Sequence, residues 1–165
     1  MEVFGRTGAP GALLDLACGL NPLSLPWMGL QPGATYIAYD IDRERVAFLN
    51  RYLSLPSSAG VSGCALLHDV LCTPPAERGD VALLMKSSAC LERQRPGATL
   101  ALLDALRVRH VVVTFPVYSL GRRKRGMPEH YERTFLDMLS GRLWPVAHLR
   151  FETELVFLVD KGSVD

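Results

Sequence analysis

A chain of 165 residues, 48% of them hydrophobic, can bury one sizeable core, and its length is read as one domain over residues 1–165. The apolar runs fall short of a membrane span and the first eight residues hold no signal-peptide core, so a cytoplasmic protein is expected. The net charge of +1 is unevenly spread: from Arg107 to Arg133 there are seven basic and two acidic residues, a window of +5 that suggests one face built for an anion.

The residues before Ala12 are Gly-rich and read as a loose lead. Leu13-Leu14-Asp15-Leu16 reads as a buried strand running into a turn, Ala17-Cys18-Gly19-Leu20-Asn21-Pro22. Pro22 to Met28 carries two prolines, so any helix there is short. Thr35–Tyr39 reads as a second strand, ended by Asp40. Asp42 to Leu53 then places Val46, Leu49, Tyr52 and Leu53 on one helical face. Cys64–Leu67 is a third strand, closed by His68-Asp69-Val70. Asp80–Met85 is apolar after its first residue and reads as a strand buried on both faces. A short helix over Ser87–Gln94 and a longer one over Ala98–Leu106 lead to a fifth strand, His110–Phe115. A polar, basic insert from Pro116 to Pro128 precedes a helix over Glu129–Leu139. Val146–Phe151 and Glu154–Val159 close the chain as a hairpin. Alternating strands and helices predict a doubly wound, Rossmann-like α/β fold, a mostly parallel seven-stranded sheet with an antiparallel C-terminal edge.

In such a sheet a ligand binds outside the carboxyl ends of the strands. The turn after strand one is not G-x-G-x-x-G: Ala17, Gly19 and Asn21 stand where glycines often do. A pyrophosphate is poorly served there. A nucleoside carrying a small zwitterion, such as S-adenosylmethionine, suits it better, with Asp15 facing the cationic end. Asp40 lies about 20 residues past Gly19, the offset at which an acid binds ribose hydroxyls. Asp42 reads as the N-cap of the helix behind it. Asp69 is placed to meet the exocyclic amine of adenine while Val70 covers the ring; its alternative is a turn residue.

Lys86 directly follows strand four, where a transferred group would lie, and is suited to an anionic substrate or a nucleobase. Arg122-Arg123-Lys124-Arg125, between Gly121 and Gly126, is a cationic loop on the same edge, suited to phosphates. Phe115 and Tyr118 could stack a base, though Phe115 equally fits the core. His130 and Tyr131 read as ordinary helix residues, Glu152 and Glu154 as surface, Trp27 and Trp144 as packing. The four cysteines, Cys18, Cys64, Cys72 and Cys90, form no C-x-x-C pair, which argues against a metal site or a disulfide framework; Cys18 and Cys64 read as buried.

These residues resemble the class I S-adenosylmethionine-dependent methyltransferases. More closely, they resemble the 16S ribosomal RNA guanine-N7 methyltransferases of aminoglycoside resistance. The carriers are Asp15-Leu16-Ala17-Cys18-Gly19-Leu20-Asn21-Pro22-Leu23, Tyr39-Asp40-Ile41-Asp42, and Leu83-Leu84-Met85-Lys86 with Leu91-Glu92. Phe115-Pro116 with Ser119-Leu120-Gly121, Gly126-Met127 and Glu154-Leu155-Val156-Phe157 complete the set. The match runs from Leu13 to Val159. It implies a cofactor pocket of Asp15, Ala17, Gly19, Asn21, Asp40, Ile41, Asp69 and Val70. It also implies that Lys86, Ser119, Arg122, Arg123, Lys124, Arg125 and Met127 meet the target guanosine and its phosphates. The cofactor implied is S-adenosylmethionine, the partner 16S rRNA in the assembled 30S subunit, and no general base is needed because guanine N7 has a free lone pair. The resemblance departs in two places. The family's long N-terminal helical extension is expected to be absent, so that a docking partner could replace it, and Arg122 stands where a second glycine is usual. Two other readings are a methyltransferase acting on another RNA, a protein or a small molecule, and a non-catalytic RNA-binding assembly factor.

Overall fold

Seven strands form one sheet: β1 (Ala12–Leu16), β2 (Thr35–Asp40), β3 (Ser62–Leu67), β4 (Arg78–Met85), β5 (Arg107–Pro116), β6 (Val146–Arg150) and β7 (Glu154–Asp160). The computed structural model describes residues 2–55, 60–117 and 127–162, without the side chains of Glu2, Met127 and Pro128. The order is β3-β2-β1-β4-β5-β7-β6, with β7 antiparallel to β5 and β6 and the other pairs parallel. This is the expected mostly parallel sheet closed by an antiparallel hairpin. Chain order reverses between β1 and β4, so the crevice for a ligand opens at their carboxyl ends.

Alternation along the central strands splits the core into two layers. On one face Leu14, Leu16, Ala82, Leu84, Val111, Val113 and Phe157 pack against α3 (Ser88–Gln94), α4 (Ala98–Ala105) and α5 (Met127–Leu139). On the other, Leu13, Tyr36, Val81, Leu83, Val112 and Val156 meet α2 (Arg43–Leu53) and a 3-10 helix over Asn21–Trp27. Strands covered on both faces need apolar side chains at successive positions, which is why β4 reads as a continuous apolar run. Among the described residues no helix is long and apolar enough to cross a membrane.

Three expectations are corrected. The lead is not loose throughout: Glu2–Thr7 forms a short helix, α1, whose Val3 and Phe4 pack against the second layer despite Gly5. Cys64 is exposed, because β3 is an edge strand. Trp27 is not packing, since three quarters of it (75%) is open to solvent. Asp42 does cap α2, accepting from the N–H groups of Glu44 and Arg45, both at 3.0 Å.

Candidate functional site: the carboxyl edge of the sheet

The turn leaving β1 takes the chain across the carboxyl edge through two left-handed residues, Ala17 (φ 49°) and Gly19 (φ 56°). Gly19 adopts this at little cost; for Ala17 it stores strain of the kind found at ligand sites. The Cys18 N–H donates to Tyr39 O at 2.9 Å, tying the turn to the end of β2. The Gly19 N–H donates to Asp40 Oδ2 at 3.0 Å. Asp40 is 4% exposed and heavily engaged, accepting also from the Asp42 N–H at 2.9 Å and from Arg45 Nη1 at 2.8 and 2.9 Å. A ribose can reach this carboxylate only by taking over part of Arg45's place.

Ala17, Gly19, Asp40, Ile41, Asp69 and Val70 line one cavity of about 240 Å³, together with Arg45, His68, Ser87 and Cys90. Six of the eight residues expected to hold the cofactor thus share a wall along the carboxyl ends of β1, β2 and β3. Asp69 accepts from the N–H groups of Leu71 (2.9 Å) and Cys72 (3.4 Å), so it is a turn residue as well as part of the wall. The hydrogen bond from the Cys72 thiol holds its carboxyl below the usual range. Ile41 is exposed at the rim and Val70 is buried, an arrangement that could hold a flat ring between two apolar surfaces.

Asp15 and Asn21 lie elsewhere. Asp15 is fully buried beneath the rim, where its Oδ2 accepts from the Tyr36 hydroxyl and from Asn21 Nδ2 at 2.9 Å. Its Oδ1 has no partner among the described residues. Burial pushes this carboxyl up to about 7, against the lowering effect of those two donors. Burial likewise pushes the neighbouring Cys18 thiol up to about 12 and the Tyr36 hydroxyl well above its ordinary value. Asn21, oriented by Asp15, lines a second and larger cavity of about 480 Å³ with Trp27, Met85, Thr114, Phe151 and Glu154. Asp15 thus reaches the cavity wall through the Asn21 amide that it orients.

Lys86 leaves β4 in the left-handed region (φ 57°), its N–H donating to Thr114 O at 3.0 Å. Its Nζ lies 2.6 Å from Glu154 Oε1. Glu154, expected at the surface, is therefore a half-buried partner of Lys86 on the second cavity's wall. Phe115 is core, stacked on Tyr131 at 4.9 Å, and is not open to a base. Ser119, Arg122, Arg123, Lys124 and Arg125, with Tyr118, lie outside the described residues, as does the side chain of Met127. Among the described residues there is no group of three side chains that could hold a metal.

Sequence reasoning missed Arg45 and Glu154. Arg45 stands three residues past the Asp42 cap, a spacing that turns it back toward Asp40. Glu154 belongs to one of the motifs that carry the resemblance but was read as surface, since its partner is 68 residues away.

The chain matches the family model "Ribosomal RNA methyltransferase (FmrO)" over residues 1–158. It is 38% identical over 160 residues to the 16S rRNA (guanine(1405)-N(7))-methyltransferase of Micromonospora echinospora, covering 97% of this chain and 57% of that protein. The protein of the same name from Serratia marcescens is 36% identical over 154 residues, 93% of this chain and 59% of that one. Among solved structures, the 16S rRNA methyltransferase RmtF in complex with S-adenosyl-L-homocysteine is similar at a TM-score of 0.79 and 36% identity. That match covers 97% of this chain and 59% of RmtF. The chain spans a little more than half the length of the curated relatives it matches.

Proposed function

The chain belongs to the ribosomal RNA methyltransferase (FmrO) family, and from that premise we propose that it transfers a methyl group from S-adenosylmethionine to N7 of a guanine in 16S rRNA, within the 30S subunit. The observation that carries this is the wall shared by Ala17, Gly19, Asp40, Ile41, Asp69 and Val70 along the carboxyl ends of β1, β2 and β3. In this reading Asp40 takes the ribose, Ile41 and Val70 cover the adenine, and Asp69 meets its exocyclic amine. Asn21, held by Asp15 behind it, faces the amino-acid end of the donor. One domain over residues 1–165 carries the pocket.

S-adenosylmethionine supplies an electrophilic methyl group. Guanine N7 presents a lone pair and loses no proton, so a general base is not required. What the chain contributes is proximity, in-line alignment and electrostatics. Lys86 orients the target base, which must leave its stack to reach the donor. Ser119, Arg122, Arg123, Lys124, Arg125 and Met127 hold the surrounding RNA and its phosphates.

The test is transfer of a labelled methyl group onto purified 30S subunits, followed by mapping of the modified nucleotide. Label on N7 of one guanine supports the proposal. Absence of label from subunits and from bare rRNA, while S-adenosylhomocysteine binds in calorimetry, rejects it. A docking partner would show as transfer that needs a second protein fraction beside the purified subunits.

A further inference from the structure

We propose that Arg45 is a built-in competitor of the cofactor: its guanidinium holds the two oxygens of Asp40 that a ribose diol would take, and it withdraws onto Asp42 when the ribose arrives. The proposal rests on the methyltransferase reading above and names a residue that sets how tightly the cofactor is held.

A carboxylate offers about four lone-pair sites, shared between its two oxygens. In Asp40 the Gly19 N–H takes one site on Oδ2, at 3.0 Å, and the Asp42 N–H takes one on Oδ1, at 2.9 Å. Both donors are backbone groups, of the turn after β1 and of the residue that caps α2, and neither can leave without unmaking its turn. The sites that remain both go to a single nitrogen, Arg45 Nη1, at 2.8 Å from Oδ1 and 2.9 Å from Oδ2. A ribose diol needs the same sites, one hydroxyl on each oxygen, so guanidinium and diol exclude each other. Asp40 is 4% exposed, and a buried carboxylate that lost one donor set without gaining another would be left underpaired. The exchange is therefore one for one.

Arg45 has a second seat within reach. Its Nη2 already lies 3.3 Å from Asp42 Oδ2. The N–H groups of Glu44 and Arg45 both go to Asp42 Oδ1, so the cap on α2 does not use that other oxygen. Arg45 is 35% exposed and Asp42 44%, so the withdrawn pair stays solvated. Arg45 also lines the cavity of about 240 Å³ beside Gly19, Asp40 and Ile41, which puts the guanidinium inside the space the cofactor would fill. Such a competitor lowers apparent affinity by the fraction of molecules in which Asp40 is open.

The test measures S-adenosylhomocysteine binding by calorimetry, beside an analogue whose ribose lacks both hydroxyls. Arg45→Ala is expected to bind S-adenosylhomocysteine about 10-fold more tightly than the unaltered chain, the effect of an ion pair closed in about nine molecules of ten. The dideoxy analogue has nothing to exchange for the guanidinium and is expected to bind both proteins alike. Arg43→Ala removes the same charge from an exposed position on the same helix and is expected to leave both affinities unchanged. If Arg45→Ala does not fold, Arg45→Met keeps the aliphatic stem and carries the same expectation. Unchanged or weaker S-adenosylhomocysteine binding in the Arg45 variant, an equal gain for the dideoxy analogue, or an equal gain in Arg43→Ala overturns the proposal alone. Absence of S-adenosylhomocysteine binding from the unaltered chain and its variants alike overturns the methyltransferase reading and this proposal together.

Discussion

Replacing Asp15 with Asn should remove a specific pH dependence from the stability of this fold. Asp15 is fully buried, and burial pushes its carboxyl from 3.8 to about 7. The folded state therefore holds a proton that the unfolded state releases between those two values. The stability this lends is fully present below pH 3.8 and is lost as pH rises through 7. Moving one group that far is worth about 4 kcal/mol in all, of which about 2–3 kcal/mol falls between pH 5 and pH 8. Asn cannot ionise, yet its amide oxygen can still accept from the Tyr36 hydroxyl and from Asn21 Nδ2. Urea denaturation of both proteins at intervals from pH 5 to pH 8 gives two stability curves. Their difference cancels every other titrating group, and it should move in favour of Asp15→Asn by about 2–3 kcal/mol as pH rises. Parallel curves would show that Asp15 is ionised throughout, and the account of a neutral carboxyl beneath the turn would fail.

Asp40→Asn should weaken S-adenosylhomocysteine binding about 10- to 100-fold in calorimetry, the value of a charge-assisted hydrogen bond, because it also unseats Gly19 and Arg45. Removing Arg122 and Arg125 together should lower affinity for 30S subunits and flatten the slope of log K against log salt by about one for each arginine; an unchanged slope would show that the basic run stays clear of phosphates. Phe157→Ala, at a fully buried position in the first core layer, should cost about 3–5 kcal/mol in urea denaturation without changing the m-value's sign or the spectral shape of the folded state. Lys86→Gly and Lys86→Ala remove the same side chain, but Gly accepts the left-handed backbone, so it should be the more stable by about 1 kcal/mol. Equal stabilities would mean that no strain is held at Lys86.

The fold was legible wherever its residues answer to local rules. β4 is covered on both faces, and its apolar run from Val81 to Met85 says so directly. β5 extends further back than expected, to Arg107, because exposed Arg107 and Arg109 alternate with buried Val108 and His110; the apolar core of the strand drew attention from that alternation. Cys64 was misplaced for the opposite reason. A short apolar stretch looks the same in a central strand and at an edge, and the position of β3 depends on the whole sheet order. The short α1 was hidden by Gly5, whose poor helix propensity is overridden when Val3 and Phe4 find a surface to cover.

The site divides along the same line. Ala17, Gly19, Asp40, Ile41, Asp69 and Val70 could be read because each sits at the end of a strand, and parallel strands in register bring their ends to one edge. Asp15 has the right strand and the wrong depth. Strand period places its side chain on the face that Tyr36 also occupies, below the turn, so it acts on the rim through Asn21. Lys86 could be placed, but its partner could not. Glu154 comes beside it only because β7 runs antiparallel to β5 and starts where β5 ends, opposite Pro116. That juxtaposition follows from the topology of the closing hairpin. A hairpin that merely completed the sheet would not need a carboxylate as its first residue, held against a lysine in a strained backbone. The cost of that arrangement is evident in the φ of Lys86, and it sets a donor and an acceptor side by side at the carboxyl edge of the sheet.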